Sequence, residues 1–471
     1  MNVIHLSAEC YPVAKVGGLG DVVAALPKYQ QLAGESAIVV LPYYDRKFVQ
    51  ENNFDVILEA EITMGGTILP FQILKESTDK LGFPLHLIRI PGLLDRTEIY
   101  SYPDETEQFI AFQLAFLEWL TYFEIRPDII HCHDHHTGLI PFLLSHSIKY
   151  GQFADIPTVL TIHNAQYQGW IGWEKFYYLP EIDPASLGLL EWGDCINPLA
   201  SAVKCCWAYT AVSPTYLQEL SYHANGLESL FAAESTKGFG IINGIDTDIW
   251  NPESDPMISV NYNTQNVAER KQENKKLVCK EFGLSISKPL VAFIGRLVGE
   301  KGADLLPEAI TRVLTELKGE LNIVILGSGD GVIEDELAGI LESFKKEYNV
   351  FIGYNEALSH RIYAGADFLL MPSRVEPCGL NQLYSLKYGT MPIVRSTGGL
   401  KDTVIDITVP GGYGICFDEA SADDIVTAIK RAVELYKTTD ELNLLRTQMM
   451  TLDYSWNQSA NQYIDLYNSL K

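Results

Sequence analysis

Short apolar runs bounded by turn-forming residues alternate with longer stretches of helical periodicity along most of the chain. Residues 3–7 read as a strand; a glycine-rich turn and a helical pattern through residue 32 follow, then a second strand at 37–41. Between 54 and 91 apolar and polar positions alternate, which predicts β-hairpins added to the core. A helix-like stretch over 105–123 leads to a strand at 127–131, and after another helix comes a strand at 157–163. Short, continuously apolar strands separated by helices belong to a parallel sheet covered on both faces. Residues 251–289 are polar and read as an inter-domain connection. Strand–helix alternation resumes at 290–295, with further strands at 322–326, 350–353, 367–371 and 392–394. The pattern predicts an α/β protein of two Rossmann-like doubly wound domains facing an inter-domain cleft, with ligands beyond the carboxyl ends of the strands.

Length agrees with that division, since 471 residues suit two domains of roughly 200 residues each. Hydrophobic residues at 47% and aromatics at 11% exclude a disordered chain. The net charge of −25 disfavours nucleic acid and anionic membrane surfaces as partners, so an anionic substrate needs locally concentrated cations. The first residues carry no basic segment followed by a long apolar one, and no apolar run approaches the roughly 20 residues of a membrane span. Eight cysteines, Cys205 and Cys206 adjacent, show no C-x-x-C spacing; reduced thiols and a cytoplasmic location are expected.

Three cations sit in glycine-rich loops. Lys15-Val16-Gly17-Gly18-Leu19-Gly20-Asp21 lies between the first strand and helix, where glycines let backbone N–H groups approach an anion. A plain tight turn explains the same residues, and the dinucleotide fingerprint is broken because Val23 follows Gly18 and Gly20. Gly295-Arg296-Leu297-Val298-Gly299-Glu300-Lys301-Gly302 repeats the arrangement in the second half. Arg296 offers a bidentate fork and Lys301 a point charge for a diphosphate; two solvated surface cations are the alternative. Pro372-Ser373-Arg374-Val375-Glu376-Pro377-Cys378-Gly379-Leu380-Asn381-Gln382, followed by Thr397-Gly398-Gly399-Leu400, puts a carboxylate beside a glycine that begins a helix. Glu376 could accept hydrogen bonds from sugar hydroxyls while the helix amides hold a phosphate; simple capping is the competing explanation.

His131-Cys132-His133-Asp134-His135-His136-Thr137-Gly138, with His163-Asn164 ending the next strand, is open between metal ligation, polar catalytic residues and structural hydrogen bonding. The cluster contains no helical H-E-x-x-H motif and no second ligand group, so no metal is expected. Asp246-Thr247-Asp248 is formally a D-x-D without its usual flanks. Tyr167, Trp170 and Trp173 suit either stacking on sugar rings or a buried aromatic cluster. No G-x-S-x-G or Cys/His arrangement points to nucleophilic hydrolysis.

Taken together these segments resemble the bacterial glycogen and plant starch synthases, retaining glucosyltransferases of the two-Rossmann GT-B architecture, over nearly the whole chain. The resemblance rests on Ser7-Ala8-Glu9, the Lys15 loop, His133-Asp134 with Gly138, Thr161-Ile162-His163-Asn164, and Thr210-Ala211-Val212-Ser213-Pro214-Thr215-Tyr216. It continues through Asn243-Gly244-Ile245-Asp246, Trp250-Asn251-Pro252, Asn274-Lys275, Arg296, Lys301, the Glu376 to Gly379 run and Thr397-Gly398-Gly399-Leu400. It implies that Lys15, Arg296 and Lys301 hold the donor diphosphate with the amides near Gly18, Gly379 and Leu380, beside Cys378. Glu376 would contact the transferred glucose and His163 would lie beside the reacting anomeric carbon. Asp134, Asn164 and Asn243 would line the glucose and acceptor cleft, with Glu9 and Asp21 on its N-domain wall. The implied reaction transfers glucose from ADP-glucose, a co-substrate, to the non-reducing end of glycogen or a malto-oligosaccharide, without cofactor or metal. The implied domains are 1–250, 251–454 and a C-terminal helix, 455–471, returning to the first.

Two positions depart from the pattern. A Lys-Ala-Gly-like segment is replaced by Ala200-Ser201-Ala202, and Tyr384 stands where the wider GT-B group often has a second glutamate. Rival readings are a nucleotide-sugar epimerase, which needs no acceptor groove, and a non-catalytic glucan-binding protein, which has no use for Lys15, Arg296, Lys301 and Glu376 together. An NAD dehydrogenase fails on its broken glycine fingerprint.

Overall fold

The computed structural model describes all residues from Met1 to Lys471, which divide into two compact units. The first contains Met1–Ile242 and Trp456–Lys471, the second Asn243–Ser455.

The first unit holds β1 (Asn2–Leu6), β2 (Ser36–Pro42), β3 (Phe54–Met64), β4 (Thr67–Glu76), β5 (Leu85–Arg89), β6 (Ile129–His133), β7 (Thr158–Ile162), β8 (Glu191–Trp192), β9 (Cys195–Ile196), β10 (Ala208–Ala211) and β11 (Gly238–Gly240). All but the short pair β8–β9 form one sheet in the order β11-β10-β7-β6-β1-β2-β5-β4-β3. Its pairings are parallel except around β4, which runs antiparallel to β3 and β5. The alternation over 54–91 thus yields two consecutive antiparallel pairs, β3–β4 and β4–β5, the first turned by Gly65 and Gly66 at positive φ. β5 also joins the core parallel to β2. Chain order reverses at β1, which pairs with β2 on one side and β6 on the other. The crevice beyond their carboxyl ends is the expected ligand position for such a sheet.

The helix Trp456–Ser469 belongs to this unit. Trp456, Ala460, Tyr463 and Tyr467 recur at helical spacing and are buried with Val22, Leu26 and Tyr29 of the helix Gly18–Leu32 and with Val3 and Ile129 of the sheet.

The second unit builds a parallel sheet from β12 (Leu290–Ile294), β13 (Asn322–Gly327), β14 (Tyr348–Ile352), β15 (Phe368–Met371), β16 (Met391–Arg395) and β17 (Ile415–Phe417), ordered β14-β13-β12-β15-β16-β17. Successive residues feed opposite faces: Val291 and Phe293 pack with Phe368 and Leu370 in one core, Leu290 and Ala292 with Leu369 and Met371 in the other. Here the order reverses between β12 and β15.

Residues 251–289, expected as a connection, are instead an integral part of this second unit, so the division falls at 242/243 and 455/456 rather than at 250/251 and 454/455. The segment contains the helix Val267–Phe282, ended by Gly283 in the left-handed conformation. Its polar residues point inward. Lys275 Nζ and Arg446 Nη2 both contact the Asp367 carboxylate, at 2.6 and 2.5 Å, with all three side chains buried. Lys271 Nζ donates to the carbonyls of Tyr363, Ala364 and Tyr388 and to Thr390 Oγ1. Asp255 accepts from Tyr388 Oη and pairs with His360.

Candidate active site

In the first unit the loop after β1 folds around a carboxylate. Glu9 is buried; its Oε2 accepts the amides of Val16 and Gly17 at 2.6 and 2.9 Å, and Oε1 accepts the Tyr100 hydroxyl at 2.7 Å. Two of the amides that the glycine loop offers are therefore spent on Glu9. Lys15 pairs with Asp21 at 2.6 Å, both side chains about one-third exposed. A Cβ on Gly17 or Gly18 would meet no protein atom within 4 Å, and neither residue has positive φ. Neither packing nor conformation therefore requires glycine there. Gly138 is different, because a Cβ would strike the carbonyl of Pro198.

β6 and β7 deliver Asp134, His163 and Asn164 to the same edge of the sheet. Asp134 sits at φ 55° and ψ −172°, a backbone region that side chains other than glycine adopt only at a cost. Its Oδ1 accepts the backbone amide of His163 at 2.7 Å. Burial lifts its carboxyl to about 7, against the pull of the His163 and Asn164 amides and with a push from Glu9. Asn164 Oδ1 closes a turn by accepting from Gln166 N. His163 Nε2 lies 3.0 Å from His133 Nδ1.

The remaining histidines lead inward. The ligating atoms of His5, His131 and His133 lie within 4.8 Å of one another. Every ring nitrogen of the three already has a hydrogen-bond partner in the protein: Gln30 and His133 for His5, Tyr467 and Thr161 for His131, His5 and His163 for His133. The arrangement is a hydrogen-bonded chain. His136 stacks on Tyr100 at 5.1 Å. Tyr167 and Trp170 are exposed, so they form no buried aromatic cluster.

In the second unit the loops after β12 and β15 are stitched together. Arg374 donates to the Gly299 carbonyl and pairs with Asp304, while the Arg374 and Val375 amides bond to the Glu300 carbonyl. Gly302, at φ 68°, lets its turn press on the Pro372 carbonyl where a Cβ could not fit. This brings Lys301 Nζ to 2.7 and 2.8 Å from the two oxygens of Glu376, and Ser373 Oγ donates to Oε2 at 2.8 Å. Glu376 is buried and Lys301 about one-fifth exposed. Arg296 stands apart, 59% exposed, with Glu300 as its partner at 3.5 Å. Gly398 and Gly399 back onto the carbonyls of Glu376 and Cys378, again too closely for a Cβ. Gly379 has φ 74°, and the helix begins at Asn381, two residues later than its glycine suggested. Asn243 lies beside Cys378; it is buried, and its Oδ1 has no hydrogen-bond partner.

Asp246 Oδ1 accepts from Asp248 N in a tight turn, and Asp248 is exposed. Tyr384 stacks on Trp250 at 3.7 Å, so an aromatic sandwich with His360 fills that position. Ala200, Ser201 and Ala202 are buried in the helix Pro198–Cys205. Sequence reasoning gave no role to Tyr100, Ser373 or Gln30. Ser373 lay within a quoted motif, whereas Tyr100 and Gln30 carry no local signal.

Two family models match the chain: the starch synthase catalytic domain over residues 2–233 and glycosyl transferases group 1 over 278–443. A glycogen synthase from Flavobacterium johnsoniae is 54% identical over 468 residues, 99% of each chain. One from Geobacillus stearothermophilus is 37% identical over 482 residues, covering 100% of this chain and 98% of the relative. The solved catalytic domain of starch synthase IV from Arabidopsis thaliana, bound to ADP and acarbose, superposes with a TM-score of 0.88 at 35% identity, over 100% of this chain and 99% of that one. A sucrose-phosphate synthase from Thermosynechococcus elongatus, at TM-score 0.61 and 18% identity over 99% and 98% of the two chains, shares the fold alone. With its two parallel-sheet units and full-length kinship, the chain belongs to the glycogen and starch synthase family and is a glycosyltransferase of GT-B fold.

Proposed function

We propose that this enzyme transfers glucose from ADP-glucose to the non-reducing end of an α-1,4-glucan with retention of anomeric configuration, and that it does so in the cytoplasm. The pairing of Lys301 with Glu376 and Ser373, at the strand-order reversal of the second unit, carries the reading. A nucleoside diphosphate leaves with negative charge. Lys301, Arg296 and Lys15 supply the compensating charge, and no metal ion is needed. Gly18, where packing does not require a glycine, suits close backbone approach by a phosphate. Glu376 accepts from hydroxyls of the transferred glucose, and Asn243, with its unpartnered buried oxygen, receives another sugar hydroxyl.

The sugar passes through an oxocarbenium-like state. Attack comes from the face the diphosphate leaves, and the departing phosphate takes the acceptor hydroxyl's proton. His163 and Asp134 line the sugar, His163 as a neutral ring because burial pulls it down to about 3. The eight unpaired cysteines support a reducing compartment, and no helix is long and apolar enough to cross a membrane.

Adenine is assigned on kinship with the bacterial synthases. Comparing kcat/KM for ADP-glucose and UDP-glucose on the same glycogen tests it. A preference for ADP-glucose is expected; a preference for UDP-glucose of about tenfold, 1.4 kcal/mol, would overturn the donor assignment.

A further inference from the structure

Behind His163 the first unit buries a continuous run of polar side chains. His163 Nε2 faces His133 Nδ1 at 3.0 Å, His133 Nε2 faces His5 Nδ1 at 3.1 Å, and His5 Nε2 faces Gln30 Oε1 at 2.7 Å. From the other end of the same amide, Gln30 Nε2 donates to Tyr467 Oη at 3.1 Å. Tyr467 Oη lies 2.7 Å from His131 Nδ1, and His131 Nε2 lies 2.6 Å from Thr161 Oγ1. Burial keeps the four rings neutral: His5 falls to about 4, His163 to about 3, and His131 and His133 go well below the usual value.

A neutral imidazole has one N–H and one lone pair, so each ring must donate on one side and accept on the other. Gln30 is the member whose two ends cannot exchange roles without the amide turning over. Its Oε1 accepts, so His5 carries its proton on Nε2 and accepts at Nδ1. His133 then carries its proton on Nε2 and accepts at Nδ1. His163 must in turn be protonated on Nε2, which leaves a lone pair on Nδ1, a nitrogen with no protein partner. On the other side, Tyr467 accepts from the amide and gives its proton to His131 Nδ1, and His131 donates to Thr161. Every donor in the run has an acceptor. Turning the amide over would reverse each bond and put the proton on His163 Nδ1.

We infer that Gln30, acting through His5 and His133, is a positioning residue that presents His163 Nδ1 to the sugar as a hydrogen-bond acceptor rather than a donor. The inference rests on the reading of His163 as a sugar-lining residue. Gln30 lies on the helix Gly18–Leu32 and Tyr467 on the helix Trp456–Ser469, so two helices outside the reacting groups set the polarity of one ring. The wrong tautomer would aim an N–H where a hydroxyl proton should arrive, a loss of roughly tenfold in rate.

The test labels the histidines of the full chain with ¹⁵N and reads, from long-range ¹H–¹⁵N correlations without ligand, which nitrogen of His163 bears the proton. The His163→Ala spectrum assigns the signal. A single neutral Nε2–H form is expected. Gln30→Leu should populate the Nδ1–H form and lower kcat roughly tenfold, with donor KM changed under about twofold. Gln30→Glu, which keeps an acceptor facing His5, should hold the native tautomer and recover most of kcat. A wild-type His163 protonated on Nδ1, or on both nitrogens, overturns the inference with no variant needed, even if Gln30→Leu fails to fold. So does a Gln30→Leu enzyme in which rate falls with the tautomer unchanged, or the tautomer shifts with rate unchanged. Wild-type kcat in His163→Ala would instead remove His163 from the sugar site, and that failure is distinct because the tautomer measurement does not depend on it.

Discussion

Lys301 holds Glu376 on both oxygens and Ser373 holds it on one, yet the carboxylate packs no apolar core. Glu376→Ala should therefore leave the fold intact and cut kcat about 100-fold or more, as loss of a group acting mainly on the transition state does. Donor KM should hold or fall, because Lys301 is released toward the diphosphate. Steady-state kinetics with ADP-glucose and glycogen read both quantities. Asp134 gives a second residue-level prediction. Burial raises its native value to about 7 from 3.8, so between those values the native state binds more protons than the unfolded chain. Its contribution to stability is full below about 3.8 and is lost as pH rises toward 7. The buried neutral histidines act oppositely, so the difference between wild type and Asp134→Asn isolates the effect. Denaturation midpoints should favour the variant increasingly from pH 4 to 7; a flat difference would contradict the burial account. Gly302, Gly398 and Gly399 were legible at this scale because a close backbone approach leaves no room for a Cβ and so shows in the sequence itself. Tyr100, Gln30 and Tyr467 were not, since their partners lie 91, 25 and 336 residues away.

Among the elements, the parallel strands were legible because continuously apolar runs between helices have few other uses. The segment 251–289 was not. It read as a polar inter-domain connection, whereas its helix Val267–Phe282 buries Lys271, Asn274 and Lys275. What makes this possible is Asp367, which lies in the second unit's core and is invisible from the helix's own pattern. Burial works to raise the Asp367 carboxyl, but Lys275 and Arg446 hold it below the usual range. Asp367→Asn would leave two buried cations facing a neutral group, which costs about 3–5 kcal/mol. Chemical denaturation should show that loss in the unfolding of the second unit. The helix Trp456–Ser469 buries Trp456 against the first unit's core, and Trp456→Ala should cost that unit a similar 3–5 kcal/mol.

At the scale of the whole molecule, a net charge of −25 surrounds a few cations placed by loops at strand ends. If Lys15, Arg296 and Lys301 neutralise the leaving diphosphate, exhaustive EDTA treatment should leave activity unchanged. Inactivation by chelator with rescue by Mn²⁺ or Zn²⁺ would move the charge compensation to a metal. If Arg296 and Lys301 act on one diphosphate, their double variant should be non-additive. The central claim is retaining transfer of glucose to a growing glucan. Time-resolved ¹H NMR of a malto-oligosaccharide with ADP-glucose tests it most directly. The account predicts one new α-1,4-linked glucose for each ADP released. Free glucose without chain growth, or a β-configured product, would contradict it.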